Sequence, residues 1–289
     1  MYIIGGISFK IPLHSAVFRG DHRTKPPRRL EFLLYLRPMV KRILGVLIFV
    51  LPVLSVWAQR NVRDSVLTST QFGLGYAFQM PAGDMAQRFG NNHNLGGSIY
   101  HKFKSNWMVG AEGGFFFGRN VSEPGLIQNL RVDEGYVLDN DGQIAEIRIE
   151  ERGWHATIGG GYLFRNSGHN PNSGVMIRGG IGFMQHKIRL EHQLNYITQL
   201  EGEYLKGYDR LTNGLALTQF VGYLYSGNSR LVNFYVGLEA TEAFTRGRRE
   251  LYFDTLQVDD QPRFDMLLGV RVAWVLHIYR RAPELFYTY

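Results

Sequence analysis

The stretch FDMLLGVRVAWVLHI, which runs from Phe264 to Ile278, decides the fold. Every second residue from Phe264 onward is apolar, whereas the residues between them include Asp265, Arg271 and His277. A two-residue period is the signature of a β-strand whose two faces differ chemically. The run is also about twice the usual length of a strand in a soluble sheet.

The same alternation recurs seven more times along the chain, in segments 72–79, 95–103, 107–117, 154–164, 175–183, 215–225 and 232–241. Two of these segments are less regular, because His101 and Gln219 interrupt their apolar faces. The pattern predicts an all-β fold, an antiparallel barrel of eight strands.

The two strand faces favour a transmembrane barrel over a soluble, lipocalin-like one, which is the alternative. The polar face of a soluble barrel meets water and would carry many Lys, Glu and Thr side chains. Here that face is rich in Gly with isolated charges, and aromatic residues stand at the strand ends, as in the girdles of membrane barrels. The predicted girdle consists of Phe72, Phe103, Trp107, Phe117, Trp154, Phe164, Tyr223, Phe244, Trp274 and Tyr279. The apolar face is therefore predicted to contact outer-membrane lipid.

The connections between the predicted strands alternate in length. Short turns lie at 104–106, 165–173 and 226–230, and longer segments lie at 80–92, 118–152, 187–210 and 245–261. Outer-membrane barrels have short periplasmic turns and long extracellular loops, so both termini are predicted to be periplasmic. Within the long loops, alternation on both sides of Asp141-Gly142 predicts a hairpin that extends the barrel wall as a β-ribbon. Segment 187–210 is predicted to be partly helical or strand-like, and 80–90 a short amphipathic turn.

The positive charge of the chain is confined to its beginning. The formal net charge is +7, but residues 1–58 contain nine Lys and Arg against two acids, and the remainder is neutral. This distribution argues against a nucleic-acid partner. Lys41-Arg42, the apolar stretch 43–53 and Ala58 have the order of a secretory signal. We therefore predict an upstream extension at 1–38 outside the native product, a signal peptide at 39–58 and a barrel domain at 59–289.

An eight-stranded barrel has an interior that side chains can fill, so a plugged lumen is predicted. Six charged residues fall on the inward face: Lys102, Glu112, Arg178, Glu239, Asp265 and Arg271. Buried charges must pair, and Glu239 and Arg271 are predicted at similar height on adjacent strands. Such a network is either structural or part of a gated pathway.

No catalytic, cofactor or metal site is predicted. The sequence has no Cys, which excludes disulfides, thiolate metal sites and a lipoprotein anchor. His155, His186, His192 and His277 are candidates for catalysis at the extracellular rim, but none has an evident nucleophile nearby in sequence. The start of a calcium loop at 139–142 lacks the remaining ligand pattern.

Several stretches resemble a family of small outer-membrane proteins of Bacteroidota. They are LEGEYLKGYDRLTNGLALTQFVGYLY (200–225), LVNFYVGLEATEAFTRGRRELYFDT (231–255), ELFYTY (284–289), MPAGDMAQRFG (80–90) and GGSIYHKFKSNWMVG (96–110). The architecture is similar to OmpA/OmpX-like barrels. The resemblance implies structural, adhesive or accessory roles, including one beside the type IX secretion and gliding apparatus.

Three functions follow as expectations. The first is a noncatalytic structural or accessory barrel whose loops or periplasmic tail bind envelope proteins. The second is a small gated pore or transporter, and the third is a rim-active enzyme.

Overall fold

The computed structural model describes residues 66–279, except 124, 166–169, 193–195 and 228–230. The predicted extension at 1–38 and the predicted signal peptide at 39–58 lie outside the described residues, as does the tail 280–289.

Eight long strands form a closed antiparallel barrel, which confirms the predicted fold class. They are β1 (Ser69–Gly83), β2 (Asn92–Lys102), β3 (Trp107–Gly118), β6 (Arg148–Arg165), β7 (Gly174–Glu191), β8 (Thr212–Ser226), β9 (Asn233–Gly247) and β10 (Pro262–Tyr279). Each strand pairs with its neighbour in sequence, and β10 pairs with β1 to close the ring. Two further strands, β4 (Val137–Leu138) and β5 (Ile144–Ala145), form a separate small hairpin.

Within the described residues, short 3₁₀ turns also occur at Asp84–Gln87, Gln128–Leu130, Thr198–Leu200 and Tyr204–Gly207. No helix in the described part of the chain has the length and apolar character needed to cross a bilayer.

The strand registers show that the strands are tilted relative to the barrel axis. Following Cα partners once around the ring leads from Phe72 through β2 to β10 and back to Ala82, a stagger of ten residues (82 − 72). A stagger of this kind accompanies strands that tilt by roughly 35–45° to the barrel axis.

Side chains alternate between a buried lumen and an exposed apolar exterior. On β8 the inward Ala216, Phe220 and Leu224 are buried, whereas the outward Leu215 and Val221 are exposed. This pattern is the inverse of a soluble barrel, and ring closure satisfies the backbone hydrogen bonds that lipid cannot. The chain is a barrel of the outer-membrane type.

The long-loop end departs from two predictions. The barrel wall is extended by β6 and β7 themselves, whose ends pair Arg148 with Glu191 and Glu150 with Arg189. Opposite charges facing each other across the strands favour this pairing above the apolar belt. The predicted β-ribbon is therefore wrong in its placement, because the hairpin β4–β5 is a separate sheet. Segment 187–210 begins as the last part of β7 and continues as 3₁₀ turns.

Gly83 turns the chain inward at the end of β1. Its φ of 62° lies in the left-handed region, and a Cβ there would stand 2.3 Å from the carbonyl oxygen of Phe264. The next residue, Asp84, accepts a hydrogen bond from the backbone N–H of Phe264 at 2.8 Å. This turn directs Met85 and Phe89 into the mouth of the barrel, where both are buried.

Candidate functional site

The lumen is filled in layers, beginning at the short-turn end. Lys102 is buried there, and its Nζ donates to the carbonyl oxygen of Leu67 at 3.0 Å and to Asn172 Oδ1 at 3.3 Å. The neighbouring Asn170 donates from Nδ2 to the carbonyl oxygen of Ser226 at 2.7 Å. The floor of the barrel is therefore polar, with its ammonium group held by oxygen acceptors.

An apolar layer lies next to this floor. It is formed by buried inward side chains from seven strands: Tyr100, Met108, Leu163, Met176, Phe220, Leu224, Tyr235, Ala273 and Val275. This layer separates the polar floor from the charged residues in the middle of the lumen.

Arg178 stands against this layer and is surrounded by aromatic rings. Its guanidinium carbon lies 4.9 Å from the ring centroid of Tyr100, 4.6 Å from Phe220 and 4.7 Å from Tyr235. Contacts of this length are cation–π interactions, which strengthen when the cation is removed from water. The guanidinium also lies 3.6 Å from a carboxylate oxygen of Glu112. Arg178 therefore closes the middle of the lumen.

A second ion pair occupies the same region. Arg271 donates to Glu239, which also accepts a hydrogen bond from Gln79 Nε2 at 2.7 Å. Asn94 Nδ2 lies 3.1 Å from His155 Nε2 and extends this polar group across the lumen. The middle layer thus pairs its charges and adds neutral hydrogen-bonding groups around them.

A third polar group lies toward the long loops. His186 Nε2 is 2.9 Å from Asp265 Oδ2, and Thr245 Oγ1 donates to the same oxygen at 2.5 Å. The ring of Phe89 packs edge-on against His186 at a centroid distance of 5.4 Å. The threonine hydroxyl is directed at the aspartate, so the group does not have the nucleophile–base geometry of a hydrolase. His186 and His155 are both buried beneath the loops, which keeps them from a substrate at the rim.

The long loops fold over the barrel mouth as an ordered cap. Its core contains Met85, Phe89, Leu126, Ile127, Val137, Ile188, Leu190, Ile197, Leu200 and Tyr208. Two ion pairs join the third long loop to the last: Arg249 to Asp209 at 2.5 Å and Arg210 to Asp254 at 2.6 Å. The third long loop is thereby fastened to the last one, since Asp209 and Arg210 belong to the third loop and Arg249 and Asp254 to the last.

The packing of the cap shifts the pKa values of three of its ionisable groups. Burial raises the pKa of Tyr252, and the nearby carboxylate of Asp259 raises it further. Burial likewise raises the pKa of Tyr208. The hydrogen bond from Arg249 to Asp209 raises the pKa of the arginine. Each shift favours the protonation state in which the closed cap is assembled.

The cap also contains an open cleft of about 550 Å³. Glu123, Gln128, Arg131 and Asp133 line it, together with Ile149 and with Gly125, Leu126, Ile127, Val132 and Gly135 of the same loop. Among the described residues, no group of three or more metal-ligating side chains comes together.

All six predicted lumen charges face inward, but they do not form one network. Glu112 with Arg178 and Glu239 with Arg271 occupy the middle layer. Lys102 ends β2 at the short-turn side, whereas Asp265 lies near the start of β10 at the loop side. Because they lie at opposite ends of the lumen, Lys102 and Asp265 contact neither each other nor the two ion pairs of the middle layer; Lys102 binds Leu67 and Asn172, and Asp265 binds His186 and Thr245.

Nine of the ten predicted girdle residues have outward-facing strand positions or continue that face at a strand end. The exception is Tyr279, which has the parity of the inward side chains of β10 and stacks on buried His277 at 5.8 Å. The strict alternation of the strand places Ile278 outward instead, so assigning Tyr279 to the outward girdle was wrong.

Sequence reasoning missed three features of the lumen and wall. The aromatic rings around Arg178 come from β2, β8 and β9, so no local sequence pattern predicts that they surround it. The pairing of His186 with Asp265 joins strands that are far apart in the chain. The third feature, an outward contact between Gln219 and Glu242, had a visible signal, because both residues interrupt apolar strand faces.

The chain is similar in fold to several solved structures. Ail, the attachment invasion locus protein of Yersinia pestis, in complex with the heparin analogue sucrose octasulfate, aligns with a TM-score of 0.39 and 13% identity, covering 73% of this chain and 99% of Ail. OprG, an outer membrane protein of Pseudomonas aeruginosa, aligns with a TM-score of 0.34 and 11% identity over 74% of this chain and 99% of OprG. The N-terminal β-barrel domain of Pseudomonas aeruginosa OprF aligns with a TM-score of 0.33 and 10% identity, covering 72% of this chain and 99% of that domain. No family model matches the sequence, and no curated protein matches it.

Proposed function

We propose that this chain is a noncatalytic barrel of the bacterial outer membrane that presents its ordered loop cap to protein partners of the cell envelope. In this arrangement the cap faces the outside and both chain ends face the periplasm, as the short and long connections imply. The observation that carries the proposal is a cap that is fixed by buried contacts and yet exposes apolar side chains.

The exposed apolar side chains gather where the hairpin of the second long loop meets the third long loop. Asn140 donates from its backbone N–H to the carbonyl oxygen of Tyr196 at 2.9 Å, and from Nδ2 to Thr198 Oγ1 at 2.8 Å. Leu138, Ile144 and Tyr196 are exposed beside this junction. We call these three residues the hairpin patch. Rigid surfaces that combine an aromatic ring with aliphatic side chains suit protein recognition, because little ordering is needed on binding.

A cross-linked pull-down from intact envelopes tests this role. We expect envelope proteins to be recovered with the native chain and lost when Ile144→Ser and Tyr196→Ser are combined. Leu256→Ser is the matched control, since Leu256 is 73% exposed in another loop of the cap. Equal recovery with all three proteins would contradict binding through the hairpin patch.

The type IX secretion and gliding apparatus is the proposed setting, supported by the sequence resemblance to small Bacteroidota barrels. Secretion or gliding components recovered in fixed ratio with the chain would support this setting. Recovery of the barrel alone would contradict it.

A small gated pore is the second candidate, favoured by the paired charges in the middle of the lumen. A pore would have to separate Arg178 from its aromatic cage. Conductance in a planar bilayer distinguishes the candidates: a closed scaffold leaves the bilayer silent, whereas discrete current steps would favour the pore.

A further inference from the structure

Gln219 and Glu242 are polar residues on the outward, apolar side of the barrel. Gln219 is exposed near the middle of β8, and Glu242 is half-buried on the adjacent strand β9. Gln219 Nε2 donates to Glu242 Oε1 at 3.5 Å.

The surroundings place this pair within the apolar belt. Glu242 is opposite Leu217 on β8 and Met266 on β10. The next outward residue toward the loops is Phe244, which packs against Phe264 at a centroid distance of 5.5 Å. Both polar residues therefore lie on the membrane side of these aromatic rings. Among the described residues, Glu242 is the only carboxylate at an outward position between the two aromatic levels.

The pair leaves hydrogen-bonding capacity unused in a place without water. A donor–acceptor distance of 3.5 Å is beyond the usual range for N–H···O hydrogen bonds. The Gln219 amide has a second N–H, and Glu242 Oε2 accepts no hydrogen bond from the described residues. Polar groups facing lipid are costly and mark sites at which a partner completes their hydrogen bonds.

We propose that the β8–β9 face is an intramembrane contact between two copies of this chain. A donor and an acceptor lie side by side, so a two-fold axis brings Gln219 of each copy to Glu242 of the other. The same surface of both copies then forms two Gln219–Glu242 hydrogen bonds, one on each side of the axis, as in an isologous interface.

Small residues next to the pair permit the close approach that this contact needs. The Cα partners of Gln219 are Gly179 on β7 and Ala240 on β9. A Cβ at Gly179 would have no atom nearer than 3.8 Å, so this part of the wall is open. Small residues at the same depth let membrane segments pack backbone to backbone.

The proposal rests on the membrane location of the barrel and is independent of the hairpin patch. Failure of the pull-down with the patch variant therefore leaves it unaffected. Folded protein is identified separately, as the fraction whose gel migration changes on boiling.

The absence of Cys from the sequence allows a clean cross-linking test. Ala240→Cys places a thiol beside Gln219, and Ala111→Cys places one on β3, four strands away in either direction around the ring. Both alanines are half-buried and outward. With the protein diluted in phospholipid vesicles and oxidised, we expect a covalent dimer from Ala240→Cys and monomer from Ala111→Cys.

Removal of the polar pair tests its role in the contact. In the Ala240→Cys protein, Gln219→Leu with Glu242→Leu should lower the dimerisation constant about tenfold, the scale of two hydrogen bonds between membrane segments. Glu242→Gln keeps an acceptor and should retain the dimer. Equal cross-linking at both cysteines, no dimer from Ala240→Cys, or a dimer unchanged by the leucine variants would overturn the proposal. Cross-linking of Ala240→Cys in native membranes only to a different protein would also overturn it.

Discussion

Arg178 and Glu112 lie 3.6 Å apart in the middle of the lumen, and both side chains are almost completely removed from solvent. The other sides of the guanidinium are covered by Tyr100, Phe220 and Tyr235. Neither charge can be hydrated in this position if its partner is lost. The pair therefore fills the middle of the lumen with buried side chains that depend on each other.

Removing one member of this pair should destabilise the barrel strongly. For Arg178→Met we expect a loss of about 3–5 kcal/mol in the free energy of unfolding, because the Glu112 carboxylate remains buried without its partner. Urea titration of the protein in lipid vesicles measures this loss. Adding Glu112→Gln removes the stranded charge and should restore most of the stability. An unfolding midpoint of Arg178→Met equal to that of the native protein would show that Glu112 does not depend on Arg178.

The inward turn at Gly83 should be sensitive to any side chain. Gly83→Ala combines a φ of 62° with a Cβ at 2.3 Å from the Phe264 carbonyl oxygen, so segment 84–91 should leave the barrel mouth. A backbone with φ 62° and ψ −144° alone costs about 1–3 kcal/mol for a residue with a Cβ. Faster proteolysis and hydrogen exchange in segment 84–91, with the barrel still folded, would show this. Gly97→Ala is the control, since its Cβ would meet no atom closer than 3.7 Å. Equal protection of both variants would contradict the assigned role of Gly83.

Alkaline pH should open the cap before it unfolds the barrel. The raised pKa values of Tyr252 and Tyr208 mean that an opened cap releases protons more readily than a closed one. The stabilisation is complete below the ordinary tyrosine pKa of about 10 and is lost as the pH rises above it. Hydrogen exchange measures this opening. As the pH rises, segment 248–261 should lose its protection before β10 does.

Replacing both tyrosines should separate their ionisation from a general effect of base. The Tyr208→Phe and Tyr252→Phe protein should keep its cap closed to higher pH than the native chain. Opening at the same pH in both proteins would assign the transition to other groups.

The sequence predicted the wall better than the lumen or the loops. Strand β10 is evident in the sequence because every second residue from Phe264 to Ile278 is apolar without a break, whereas Asp265, Arg271 and His277 lie on the other face. The ends of β6 and β7 were missed because both faces carry charges there, and only the pairing of Glu150 with Arg189 explains them.

The contacts between side chains in the lumen could not be predicted from strand alternation. Inward charges such as Arg178 were predictable from strand parity. The rings that surround Arg178 come from strands distant in sequence, and their contacts depend on the stagger of the whole barrel. Tyr279 is aromatic and ends β10, but it has the parity of the inward residues, so an aromatic residue at a strand end does not by itself identify a girdle position.

The most direct test of the central claim compares two isoleucines of equal exposure. Ile158 is 67% exposed on the wall of the barrel, and Ile144 is 66% exposed in the cap. In lipid vesicles, Ile158→Arg should lower the free energy of unfolding by about 2–4 kcal/mol, because its charge faces the bilayer interior. Ile144→Arg should change it little, since that side chain meets water. Equal stability of the two variants would contradict a lipid-facing wall and, with it, the membrane barrel.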